Sequence, residues 1–377
     1  MRIGILTLPL ETNYGGILQA YALQKVLRDM GHDVMTIDRH NRRSYPSFSA
    51  HVVGYMGRLY QHFCKGKDVS VRWNPFISDA DYQYISRYTR SFLDGNVNLT
   101  DTVFSDQLEA IDKKYQFDAY VVGSDQVWLP SYYPSSFLSF VKRDNVKKVF
   151  YAASCGRISF IDRKGAIETC KSFAEGFDGI SVREDTLVPF AEKYLGRTAT
   201  HVLDPTFLLS PSEYTKLVEG RGNDKDSVVF KYILDSTPEK DAIVNAVSNK
   251  TGHRIASTNA PQKYIKRKGI DIDKCVFPPV EEWLSNLNDA SFVVTDSFHG
   301  TVFSILFNKQ FVVIGNKNRG LGRFKSLLKM FGLEDRMIAN VSELDKVFQS
   351  EIDYDRINRI LEEKRAVSLS FLSDSLR

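Results

Sequence analysis

Apolar positions along the chain fall into short continuous runs separated by stretches with three- and four-residue periodicity. Residues 3–8 form such a run, followed by Pro9 and the polar loop Asn13-Tyr14-Gly15-Gly16. Ile17, Leu18, Tyr21, Ala22, Leu23, Val26 and Leu27 then recur at helical spacing, and Gly31 stops the helix before a second run at 33–38. Strand, loop, helix, strand is a βαβ unit, which requires a parallel sheet with a right-handed crossover. The rhythm resumes with strands predicted at 117–122, 148–154, 179–183 and 200–203, each running into polar residues. In open parallel sheets ligands bind beyond the carboxyl ends of the strands, so these polar ends mark where to look for chemistry.

A second α/β unit follows the polar stretch 220–226, which reads as a linker. Strands are expected at 227–234, 254–257, 290–294 and 310–314, and helices near 238–250, 280–287, 301–307 and 322–331. A terminal helix over about 352–367 is expected to cross back to the first unit. The fold class is therefore α/β: two Rossmann-like lobes facing a cleft, with the C-terminal helix returning to the first lobe. The divisions read from the pattern are 1–220, 221–350 and 351–377. Residues 40–100 break the rhythm and read as an insertion of helices and loops. Within it, Val52, Val53, Tyr55, Met56, Leu59, Tyr60 and Phe63 suit an amphipathic helix touching lipid, a peripheral membrane contact. Gly54 and Gly57 weaken any helix there, and packing on its own domain is the preferred reading.

Composition changes this picture little. With 43% apolar and 25% charged residues the chain can bury ordinary cores. A net charge of +4 over 50 basic and 46 acidic residues is too balanced for a nucleic-acid binder. The four cysteines lack metal-ligand or disulfide-framework spacing, and the histidines lack metal-ligand spacing, so no metal site is expected. A chain opening on a strand, with no apolar run near the ~20 residues that span a bilayer, is expected in the cytoplasm, on its own or peripheral to the membrane's inner face. Walker and nucleophile-elbow motifs are absent, and the first loop lacks the full dinucleotide fingerprint.

Candidate chemistry gathers at strand ends. Thr295-Asp296-Ser297-Phe298-His299-Gly300-Thr301 runs from a buried strand into a helix, whose free N–H groups and dipole favour an anion. His299 can act there as an acid or a cationic donor; alternatively Asp296 or Ser297 merely caps the helix. Arg183, at the end of an apolar strand, suits a bidentate grip on carboxylate or phosphate, or an ion pair with Glu184 or Asp185. Gly123-Ser124-Asp125-Gln126 offers Asp125 as a base for a sugar hydroxyl and Ser124 as a ligand or cap. Asn13 stands at the cleft edge. Lys317, Arg319 and Arg323, interleaved with glycines, suit a mobile anion-binding loop or a solvated turn.

Together, the opening strand with its Asn-Gly loop, Val122-Gly123-Ser124-Asp125, Ser181-Val182-Arg183-Glu184, Asp204-Pro205-Thr206 and Asp296–Gly300 resemble the polysaccharide pyruvyl transferase family. The resemblance covers nearly the whole chain. It implies a GT-B-like fold, no cofactor, and transfer of an enolpyruvyl unit from phosphoenolpyruvate to two hydroxyls of a sugar, on a polysaccharide or lipid-linked precursor. It further implies that Arg183 and His299 hold the donor, with His299 the acid. Asp125 as the acceptor's base is inferred from the residues alone, and Ser297, Gly300 and Thr301 join the donor site as neighbours of His299. Many members carry Arg where this chain has Ser297, so Arg319 or Arg323 is expected to supply that charge, or the donor differs. Many also carry Asp after the first-loop glycines, where this chain has Ile17. Two other readings stand beside it: a sugar-nucleotide-dependent GT-B glycosyltransferase, and a non-catalytic scaffold of polysaccharide assembly.

Overall fold

The computed structural model describes residues 1–40, 48–66, 69, 71, 77–129, 131–156, 166–218, 228–265, 269–315 and 320–377. Two parallel sheets organise the chain. The first holds β1 (Arg2–Leu6), β2 (Asp33–Thr36), β5 (Ala119–Gly123), β6 (Lys147–Ala153), β7 (Gly179–Val182) and β8 (Thr200–His201) in the order β2-β1-β5-β6-β7-β8. The second holds β9 (Val228–Tyr232), β10 (Arg254–Ala256), β11 (Phe292–Thr295), β12 (Gln310–Ile314) and β13 (Met337–Ile338) in the order β10-β9-β11-β12-β13. A two-stranded pair, β3 (Arg39–His40) with β4 (Val103–Phe104), lies apart and is too short to show in the apolar pattern. All the pairings are parallel, for example Ile3 with Ala119 and Phe292 with Val229.

The first lobe's helices are α1 (Tyr14–Asp29), α2 (Phe48–Phe63), α3 (Asp79–Ile85), α4 (Arg87–Asn96), α5 (Leu108–Tyr115), α6 (Ala166–Glu175), α7 (Leu187–Phe190) and α8 (Pro211–Thr215). The second lobe adds α9 (Pro238–Thr251), α10 (Val280–Asn288), α11 (Phe298–Leu306), α12 (Leu321–Phe331) and α13 (Leu344–Gln349), and α14 (Tyr354–Ser375) ends the chain. Strands such as β5 and β11 are apolar along their whole length because helices cover both faces of a parallel sheet. Two expectations shift. α1 begins at Tyr14 rather than at Ile17, so Gly15 and Gly16 belong to its first turn. The expected linker at 220–226 lies outside the described residues, except that β9 starts directly after it.

One core cluster joins the lobes, running from α1 and β1 through Trp283 and Phe303 to Leu361 and Leu372. α14 completes it. Tyr354 donates to the Lys309 carbonyl in the second lobe, while Ser368 Oγ accepts from Leu203 N (3.0 Å) and Arg365 donates to the Phe207 carbonyl (2.8 Å) in the first. The helix thus fixes one lobe against the other. Leu372 is fully buried and Val367, on the same helix, is half exposed. Truncating Leu372 to Ala is expected to cost about 2–5 kcal/mol and lower Tm by several degrees in a thermal melt. Val367→Ala should leave Tm almost unchanged.

Candidate active site

Three helices begin at one cleft between the lobes. α1 starts after Asn13, whose side chain makes no capping bond. α11 starts after Ser297, whose Oγ accepts from Gly300 N at 3.3 Å. α12 starts after Gly320. None of the three has an acidic residue in its first turn; α2, α4 and α7 lack one as well, whereas α3, α9, α10 and α14 carry one. Acidic side chains ordinarily stabilise a helix start by 0.3–1 kcal/mol, roughly. Omitting them at three converging ends leaves the positive dipole ends for a bound anion. The cavity there, about 770 Å³, is lined by Asn13, Tyr14, Asp125 and Gln126 from one lobe and by Asp296, Ser297, Phe298, His299 and Arg323 from the other.

Beneath the cavity lies a buried charge cluster built on the ends of β5, β7 and β8. Arg183 Nη1 donates to Asp204 Oδ2 at 2.7 Å, with both side chains no more than 2% exposed. Ser124 Oγ donates to the same oxygen at 3.1 Å, and Thr206 donates to Oδ1 through its N–H (3.1 Å) and Oγ1 (2.7 Å). Asp125 and Glu184 lie 3.5 and 3.7 Å from the Arg183 guanidinium. Burial alone would push Asp204 up, but His299 and Arg183 outweigh it and hold its carboxyl far below the usual range. Glu184 goes the other way: burial outweighs Arg183 and raises it.

His299 stands on this cluster. Its Nε2 is 3.6 Å from Asp204 Oδ2 and, though buried, has no hydrogen-bond partner among the described residues. The neighbouring Phe298 ring lies under the Arg183 guanidinium (4.2 Å) and near that of Arg323 (5.7 Å). The other face of His299 meets α1, where a methyl group on Gly15 would stand 2.1 Å from Nδ1. Only glycine admits the ring. Tyr14, the next residue back, crosses the cleft: its hydroxyl donates to the Pro278 carbonyl (2.8 Å) and its ring stacks on Trp283 (5.9 Å). A second backbone approach joins the lobes at Gly320 (φ +83°), where a methyl would lie 2.0 Å from the Gly156 carbonyl oxygen.

The structure brings Asn13, Asp125, Ser297, His299 and Arg323 to the cavity wall and sets Ser124, Arg183, Gly300 and Thr301 behind it. Arg183 is not a cation waiting for a ligand: it is spent on Asp204, Asp125 and Phe298, and the ion pair with Asp185 does not form. Ser124 is fully buried against Asp204. Gly300 N–H is occupied by the Ser297 cap, and Thr301 Oγ1 donates to the Ser297 carbonyl, so neither faces the cavity. Ser297 is a helix cap as well as a wall residue. Asp296 is buried and neutralised by Lys240 (2.6 Å) and by the N–H groups of Leu234 (2.7 Å) and Asp235 (3.3 Å). Arg323 sits in the first turn of α12 rather than on a loop, with the Gln126 side-chain oxygen accepting from its Nη1 and Nη2 at 3.2 and 3.1 Å. Lys317 and Arg319 lie outside the described residues. Asp125 holds a left-handed backbone (φ +64°), a conformation Asp tolerates better than most residues, and this turns it toward the two arginines. The residue that sequence reasoning missed is Asp204. Its signal was present: an Asp-Pro-Thr directly after a strand at the same sheet end.

Comparison with known proteins bears on both fold and family. The UDP-GlcNAc 2-epimerase of Neisseria meningitidis, solved bound to UDP-GlcNAc, is 7% identical, covers 100% of this chain and 99% of its own, and superposes with a TM-score of 0.54. The UDP-N-acetylglucosamine 2-epimerase of Rickettsia bellii is 11% identical over 100% of this chain and 96% of its own (TM-score 0.52). A glycotransferase of kitacinnamycin is 13% identical over 100% and 97% (TM-score 0.50). At such identities these likenesses establish the two-lobed GT-B-like fold alone. No curated protein matches the chain significantly. The sequence model of one family, polysaccharide pyruvyl transferase, matches residues 13–318, from the N-cap of α1 past the whole of β12. Over that span it takes in the strand ends and helix starts that build the cavity, and the chain belongs to the polysaccharide pyruvyl transferase family of transferases.

Proposed function

We propose that the protein transfers the pyruvyl group of phosphoenolpyruvate to two hydroxyls of a sugar in a surface or capsular polysaccharide precursor. The acceptor is then a lipid-linked saccharide met in the cytoplasm, at the inner face of the membrane. The observation that carries this reading is one cavity at which three acid-free helix starts meet His299 poised over Asp204. Phosphoenolpyruvate presents two anionic groups, carboxylate and phosphate, both on C2, beside one reactive methylene carbon. Helix starts and Arg323 suit the anions, and Arg323 takes the part of the cation that family members carry where Ser297 stands. His299 suits the carbon.

In this reading protonated His299 gives its proton to the methylene carbon, which becomes a methyl group as positive charge develops on the adjacent C2. Asp204, ionised and adjacent, stabilises the protonated ring beforehand. An acceptor hydroxyl attacks C2 and passes its proton to Asp125. The bond from C2 to the phosphate oxygen then breaks, phosphate leaves with the electron pair, and a second hydroxyl closes the ketal. Of the two hydroxyl protons, one replaces that lost by His299 and the other departs with phosphate.

Three outcomes are expected. Phosphoenolpyruvate should raise Tm and UDP or GDP derivatives should not, since a ligand at about 100 times its Kd adds about 2.7 kcal/mol to the native state; the reverse result would transfer the protein to glycosyl transfer. His299→Ala should cut phosphate release with a galactose-like acceptor by about 10²–10⁴-fold, the scale of general acid catalysis, while Tm changes by no more than a few degrees. Asp204→Asn should lower both activity and stability, the latter by about 3 kcal/mol, as Arg183 loses its buried partner. Because the folded carboxyl is depressed, its stabilisation is complete above the unfolded value of about 3.9 and is lost as pH falls further. The stability gap between wild type and Asp204→Asn should therefore be constant above about pH 5 and shrink below about pH 4, measured by denaturant unfolding.

A further inference from the structure

Helix α2 forms despite Gly54 and Gly57, and it turns to solvent a surface that globular proteins ordinarily bury. Val53, Met56, Tyr60 and Phe63 are 72%, 60%, 55% and 73% exposed. At about 100° per residue these positions fall within an arc of about 80° on one side of the helix. Val52, Tyr55 and Leu59 continue the apolar surface on one flank and are half-buried. Four large apolar side chains in one exposed row differ from the scattered exposure of any protein surface.

Charge decides what this row fits. Residues 40–72 hold six basic side chains (Arg42, Arg43, Arg58, Lys65, Lys67 and Arg72) and one acidic, Asp68, a balance of +5. The whole chain carries +4, so the remaining residues together carry −1. The protein's positive balance is therefore that of residues 40–72, of whose cations Arg58 and Lys65 are among the described residues. Lys65 Nζ lies 5.5 Å from the Tyr60 ring and the Arg58 guanidinium 5.9 Å from that of Tyr55, placing cations at the margins of the apolar surface. No helix among the described residues is long and apolar enough to cross a membrane. An apolar face with basic margins on a helix of 16 residues suits lying in a lipid interface.

We propose that α2 docks the protein on an anionic lipid surface, with Val53, Met56, Tyr60 and Phe63 entering the headgroup boundary and the flanking cations resting on lipid phosphates. The docking stands apart from the identity of the donor or acceptor. It is tested with the full-length protein by co-sedimentation with phosphatidylglycerol-containing vesicles and with pure phosphatidylcholine vesicles, at low and high salt. Wild type should bind the anionic vesicles, more weakly as salt rises, and bind phosphatidylcholine poorly. Met56→Asp with Phe63→Asp should weaken anionic-vesicle binding at least about tenfold, and Lys65→Glu with Lys67→Glu should do the same, each worth about a factor of five or more per charge reversed. Neither pair should move Tm or phosphate release from a water-soluble acceptor, because α2 contributes nothing to the cavity wall. Wild type that ignores both vesicles, or Met56→Asp/Phe63→Asp protein that binds as wild type does, overturns the proposal. So does a solution dimer that dissolves in the Met56→Asp/Phe63→Asp variant by light scattering, which would assign the row to a second copy.

Discussion

The buried pair of Arg183 and Asp204 is the interaction on which the site depends. Taking both charges out of water costs several kcal/mol, roughly, for each ion. That cost is offset here because every lone pair and most donors are engaged: Thr206 and Ser124 complete Asp204, while Asp125, Glu184 and the face of Phe298 surround Arg183. The pair joins the ends of β7 and β8 in one lobe to α11 in the other, since Phe298 and His299 are the first two residues of that helix. A hydrophobic pair of the same volume would fill the space as well. It would not leave a carboxylate beside His299 Nε2. The charge cluster is therefore better understood as orienting an imidazole than as stabilising a fold.

The same cluster explains how a cavity suited to an anion tolerates carboxylates in its wall. Asp125 faces Arg183 and Arg323, and Asp296 is consumed by Lys240 and two backbone N–H groups. Neither projects an uncompensated negative charge toward the three helix starts. A third carboxylate, Asp235, also lines the cavity; facing it are backbone dipoles and Arg323, groups that are fixed before a ligand arrives and need no reorganisation to meet it.

Much of this was legible in the sequence, and the limits have physical causes. Buried parallel strands are continuous apolar runs, so the strand ends at Gly123, Val182 and Thr295 could be placed, and with them Asp125, Arg183 and His299. Which side of a strand end each side chain occupies could not. Arg183 points beneath the floor and Asp125 above it because of a left-handed backbone at Asp125, which no local pattern announces. Asp204 was legible as a motif but not as a partner, because its partners lie 21 and 95 positions away and meet only through sheet order. The α2 segment was legible as an amphipathic pattern: Gly54 and Gly57 weakened the expectation of a helix, yet sixteen residues with an apolar side form one.

The two lobes are held at a separation set by missing side chains. At Gly15 a methyl would strike the His299 ring, and at Gly320 it would strike the Gly156 carbonyl, both from the opposite lobe. Adding one carbon at either position must part the lobes or displace the imidazole. Tyr14 and Trp283 pull in the other direction, an aromatic stack and a buried hydroxyl that close the cleft around the same point. Attraction through aromatic rings and permission through glycine thus act within one turn of α1, next to His299. His299, carried by the second lobe, therefore takes its position from the first, with Asp204 on one side and Gly15 on the other. Any motion that separates the lobes must also part the imidazole from the Asp204 carboxylate.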